Sequence, residues 1–168
     1  MLDFINESTE KLLDPVGWAI LCELQNDARM SYAEIGRRVG MSAPAVMERV
    51  RRMEEAGIIT GYAAQVDVTK LGLSIQAVLR LRIPGERWDF IHKMVQETPE
   101  VLECHHVTGD DCLIMKVAVG SIRHLEMVIG RFANYGQTTT SLILSSPVTE
   151  RVIDQREHEH DSDGHRDR

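Results

Sequence analysis

Apolar residues recur at three- and four-residue intervals through the first third of the chain, then switch to strict alternation, so helices followed by a mixed module are expected. Asp14 can cap a helix that begins at Pro15, with Val16, Ile20, Leu21 and Leu24 forming one apolar stripe. Ser31 and Glu34 make a capping box for a second, two-turn helix that turns Tyr32, Ile35 and Val39 inward and stops at Gly40. Ser42 caps a third, with Pro44 in its first turn, where a missing N–H costs nothing, and with Val46, Val50 and Met53 inward as far as Gly57. Two helices joined by "GMS", the second longer than the first, have helix-turn-helix spacing. "IITGYAAQVDV" follows as an extended segment.

The period then becomes two. Ile75, Ala77, Leu79, Leu81 and Ile83 alternate with Gln76, Arg80 and Arg82, which predicts a strand broken by Pro84 and Gly85. Phe90, Ile91, Met94 and Val95 return to helical spacing, and Pro99 ends that segment. "VLECHHVTGDDCLIMKVAV" reads as two strands around a hairpin at Gly109. Ile122, Leu125, Val128, Ile129 and Phe132 mark a further helix, and "TTTSLILSS" a last strand. The order βαββαβ is that of a ferredoxin-like module, with helices on one face of an antiparallel sheet and the other face left for a cover, which implies a second subunit. The fold class expected is therefore α+β: a helix-turn-helix domain (winged-helix-like) over residues 1–60, a linker strand over 61–73, the ferredoxin-like domain over 74–150, and a disordered polar tail over 151–168.

Charge sharpens this picture. The chain carries a formal net charge of −7, yet residues 28 to 53 hold six arginines (29, 37, 38, 49, 51 and 52) against two glutamates (34 and 48). At about 100° per residue the third helix sets Pro44, Ala45, Met47, Glu48, Arg51 and Arg52 opposite its inward sector. A recognition helix puts its early residues against base edges and its later ones against phosphates, and this division fits double-stranded DNA as the partner. The competing reading is a solvated face with i,i+4 pairing such as Glu48 to Arg52. Candidate DNA contacts are Ser42, Pro44, Ala45, Met47, Glu48, Arg49, Arg51 and Arg52. No apolar run reaches the roughly 18 residues of a membrane span, and the N-terminus is acidic rather than a basic leader, so a soluble, cytoplasmic protein is expected. Three cysteines at scattered spacings suit a reducing compartment.

The stretch "ILCELQNDARMSYAEIGRRVGMSAPAVMERVRRMEEAGIITGYAAQVDVTKLG", and "ERVRRMEEAGIITGY" above all, resembles the N-terminal half of the Lrp/AsnC (leucine-responsive, feast/famine) transcription regulators over some fifty ungapped residues. One departure is Gly17, where the family usually has an acid. The resemblance implies a sequence-specific transcription regulator whose second module binds a small amino-acid effector and assembles dimers, often further into octamers. It also places effector contacts at Gly109 and Asp110 and at Thr138, Thr139 and Thr140 on the last strand, although Cys112 and Leu113 replace the second acid and the aromatic of the family's usual form. A free amino acid needs a carboxylate or carbonyl for its ammonium and N–H groups or hydroxyls for its carboxylate, which such residues supply. On the opposing reading, Gly109 and Asp110 form a plain turn and the threonines a β surface.

Cys104, His105, His106 and Cys112 lie close in sequence but do not match a zinc spacing. A two-residue loop at Gly109 and Asp110 would set Val107 opposite Cys112 and put Cys112 on the face of His105; a three-residue loop would group it with Cys104 and His106. Neither metal nor cofactor is expected, and no nucleophile–base pair or glycine-rich phosphate loop suggests an enzyme. The alternative function is an oligomeric metabolite- or metal-binding module whose N-terminal helices contact another protein.

Overall fold

The computed structural model describes residues 7–83, 88–109 and 112–155. Cα proximity divides the chain into two units, one formed by residues up to Ala64 together with those from Val148 onward, the other by Gln65–Pro147.

The first unit holds α1 (Glu7–Leu12), α2 (Pro15–Asn26), α3 (Tyr32–Val39) and α4 (Ala43–Glu55). Each expected cap is made. The Asp14 side chain accepts from Gly17 N, Ser31 from Glu34 N, and Ser42 from Ala45 N, so each helix start has a partner for an N–H the helix itself leaves bare. Gly40 ends α3 at φ 73°, a left-handed conformation that a side chain disfavours, and redirects the chain into α4. Ile20, Leu24, Ile35, Val46 and Val50 form the core, joined by Val16, Tyr32 and Ile59 at its margin. α1 has no counterpart in the expected elements. It explains Gly17: a β-carbon there would overlap the Leu12 carbonyl oxygen, so α2 can start beneath α1 only with glycine at this position.

The linker differs from expectation. Residues 60–67 form neither helix nor strand and have no ladder partner among the described residues, and Val68–Leu71 form a 3-10 turn capped by Asp67. A strand exists only by pairing, and the described chain offers this segment nothing to pair with.

In the second unit, β1 (Ile75–Arg82), β2 (Val101–His106), β3 (Leu113–Val119) and β4 (Gln137–Leu142) form one antiparallel sheet of order β2-β3-β1-β4, with α5 (Trp88–Gln96) and α6 (Ile122–Ala133) interposed along the chain. The alternating residues Ala77, Leu79 and Leu81 of β1 and Leu113, Met115 and Val117 of β3 share a core with Ile91, Leu125, Val128 and Phe132 from the helices. Phe90, expected inward, is half exposed and packs its ring against Tyr135, centroids 5.1 Å apart.

After β4 the chain returns to the first unit. The Gln25 amide donates to Ile153 O (3.0 Å) and its carbonyl accepts from Ile153 N (2.9 Å). With Trp18, Leu21, Leu24, Ile59 and Tyr62, Ile153 lines a pocket of about 370 Å3. A polar tail beginning at residue 151 is therefore corrected for residues 151–155, because Ile153 gives this stretch an apolar anchor; residues 156–168 lie outside the described residues.

Candidate nucleic-acid interface and effector site

α4 keeps Val46, Val50 and Met53 fully buried, and that fixes which residues face out. Pro44 is exposed and Met47 is 52% exposed, an apolar side chain left in solvent at the front of the helix. Ala45 is half-buried, and the Ser42 hydroxyl is committed to the cap.

The arginines do not behave alike. Arg51 and Arg52 are 53% and 60% exposed, and both donate to Glu48: Arg51 through Nε (3.0 Å) and Nη2 (2.8 Å), Arg52 through Nε (2.9 Å). Arg51 also pairs with Glu55 through its remaining nitrogen, Nη1. The two guanidiniums, Arg51 first, hold the Glu48 carboxyl down at about 2. The i,i+4 pair expected on the competing reading is thus present, and it lies on the same face as the candidate DNA contacts.

Arg49 turns the other way. Its Nη1 and Nη2 reach Oδ1 and Oδ2 of Asp14, each at 2.7 Å, and its side chain is only 28% exposed. Arg49, a candidate DNA contact, is a strut between α4 and the start of α2 in the fold: unlike Arg51 and Arg52, which are more exposed and pair within α4, it is turned off the exposed face and spans to another helix. Arg38 likewise pairs with Glu23 (2.6 Å) and Glu34 (3.1 Å), and Arg37 with Glu34. Asp14, Glu23 and Glu55 come from outside residues 28 to 53, so five of the six arginines of that stretch, 37, 38, 49, 51 and 52, meet five carboxylates in the fold.

The effector candidates share an end of the sheet but not a wall. Gly109 (φ 110°) sits in the β2–β3 turn; Asp110 lies outside the described residues. Thr138 and Thr140 register with Leu81 and Leu79 on the face that carries the core, whereas Thr139 registers with Arg80 on the opposite face. β1 separates β3 from β4, so the turn and the threonines stand about two strand spacings apart, roughly 10 Å. Val107 N donates to Cys112 O, the register of the two-residue-loop alternative, and the Cys112 sulfur accepts from Ile83 N at 3.3 Å. Cys104 packs against the core, and burial raises its thiol pKa. Among the described residues no three His, Cys, Asp or Glu side chains converge on a common point, and no helix is long and apolar enough to cross a membrane.

Sequence reasoning missed Asp14 as an electrostatic partner. A signal was present, since on the helical wheel Arg49 stands about 40° from Met53, at the margin of the inward sector.

Residues 13–60 match the family description "Winged helix-turn-helix DNA-binding", and residues 76–153 match "Lrp/AsnC ligand binding domain". The HTH-type transcriptional regulator LrpC of Bacillus subtilis (strain 168) is 33% identical over 133 residues, covering 79% of this chain and 92% of that protein. The leucine-responsive regulatory protein of Escherichia coli (strain K12) is 32% identical over 141 residues, covering 80% and 86%. The solved structure of B. subtilis LrpC superposes with a TM-score of 0.78 at 33% identity over 82% of this chain and 99% of that one. A Neisseria meningitidis regulator, NMB0573, solved as a complex with L-Met, shares the fold at a TM-score of 0.81 and 22% identity over 86% and 98%. With both halves matched in order, the chain belongs to the Lrp/AsnC family of DNA-binding transcription regulators.

Proposed function

We propose that this regulator reads DNA with the exposed face of α4, setting Pro44, Ala45 and Met47 against base edges and Arg51 and Arg52 against phosphates, as a homodimer. The observation that carries the reading is the division of that face: an exposed apolar front, Pro44 and Met47, and an exposed cationic rear, neither used by the core. Thymine methyls suit the front and the sugar–phosphate backbone suits the rear. Two such helices on a dimer would meet successive major grooves about 34–36 Å apart. Leu102, Leu142 and Leu144, the last 94% exposed, support a second copy against the ferredoxin-like unit, and larger assemblies up to an octamer would use the same kind of surface. A mobility shift of the full chain on its own promoter DNA at two salt concentrations tests the reading. Salt-sensitive, sequence-selective binding is expected, and no binding at low salt rejects it.

A small amino acid is the proposed effector, held near Gly109, Asp110 and the threonines of β4. Since β1 lies between the turn and β4, a ligand touching both sets takes them from different chains, which is why effector and assembly would be linked. The effector's influence on DNA binding is bounded by its affinity difference between the two assembly states. Calorimetric titration with each amino acid should find a ligand whose heat is lost in Asp110→Ala. Equal responses of Asp110→Ala and the unaltered chain remove Asp110 from the site.

A further inference from the structure

We propose that Glu48 tempers the affinity of DNA binding by competing with phosphates for Arg51 and Arg52. This rests on the reading that α4 faces DNA. The Glu48 carboxylate takes Nε and Nη2 of Arg51 in a two-point fork, and takes Nε of Arg52 on one of the same oxygens. Glu55 takes the third nitrogen of Arg51. All three nitrogens of that guanidinium are therefore engaged by carboxylates in the free protein, in the arrangement a phosphate would otherwise occupy. Arg52 is held by the same glutamate, so one residue governs both cations at the rear of the face.

The consequence is common to cognate and arbitrary DNA. Binding to arbitrary duplex depends on phosphate neutralisation, so it bears the effect of arginines tied to a carboxylate and of a negative charge kept against the backbone. Binding to the cognate site adds contacts from Pro44, Ala45 and Met47 that owe nothing to charge and that Glu48 leaves unaltered. Glu48 thus lowers both affinities by a similar factor and leaves the ratio between them unchanged. Its role is to hold other side chains, not to read a base.

The test uses the full chain and its Glu48→Gln variant, titrated by fluorescence anisotropy against a promoter duplex and against a random duplex of equal length over a salt series. Expected for Glu48→Gln are an affinity for random duplex about tenfold higher at low salt, a gain of similar size on the promoter site, and a salt slope steeper by up to about 0.9 for each arginine released to a phosphate. Glu54→Gln is the control. It removes the same charge from the same helix, but Glu54 accepts from the Tyr62 hydroxyl (2.8 Å) and not from these arginines. An equal gain in Glu54→Gln makes the effect one of net charge and overturns the assignment. So does an unchanged slope in Glu48→Gln, or a loss confined to one base pair of the promoter site, which would make Glu48 a base reader. If the unaltered chain binds neither duplex, the DNA-facing reading itself fails and takes this inference with it.

Discussion

Asp14 serves two partners with one carboxylate: Oδ1 caps α2 at Gly17 N (2.7 Å), and both oxygens receive Arg49. The Arg49 hydrogen bonds, ahead of the cap, hold its pKa below the ordinary 3.8. A folded pKa depressed in this way gives stability that is present above the unfolded value and is lost as pH falls through the folded one. Asp14→Asn should therefore cost about 1–2 kcal/mol near neutral pH in urea unfolding, the sum of a weakened cap and a partly exposed ion pair, and its curve should meet that of the unaltered chain in acid. Arg49→Ala and Arg51→Ala separate strut from phosphate ligand. The first is expected to lower the melting temperature with little change in the salt slope of DNA binding, and the second to do the reverse, flattening the slope by about 0.9 for each phosphate that is no longer neutralised. Gly17→Ala should destabilise by about 1–3 kcal/mol in thermal denaturation, because the added methyl meets backbone rather than a movable side chain.

Elements were legible where their cause is local. α4 could be drawn from Ser42, Pro44 and the spacing of Val46, Val50 and Met53, since capping and amphipathicity are written within a few residues of where they act. The same holds for the alternation of β1 and its core face. α1 escaped because six residues without a marked apolar stripe give no period. Residues 60–67 have a strand's composition, but a strand is a relation between two segments and the described chain supplies only one. Likewise "TTT" reads as one cluster although β4 deals its members to two faces. A single ligand meets one face, so Thr138→Val and Thr140→Val should change effector binding alike in calorimetry and Thr139→Val differently. Three equal effects would mean that the strand, not its hydroxyls, matters.

At the scale of the molecule, the cationic patch was half legible. Its six arginines were countable, but Asp14 and Glu23, which meet Arg49 and Arg38, come from sequence positions that only the fold brings near, whereas Glu55 is a local neighbour four residues on from Arg51 in α4. The end of the chain was misjudged for the same reason, because the partner of Ile153 is Gln25, 128 residues away. Gln25→Ala should speed hydrogen exchange at the Ile153 amide and lower the stability of the first unit by about 1 kcal/mol. That returning segment also governs how the protein comes apart. The backbone passes from one unit to the other at residues 64–65 and back at 147–148, so it is joined there by two threads. A protease that nicks only the first of them yields two fragments on a denaturing gel but a single band on a native one, and separation of an intact second unit requires the other cut as well.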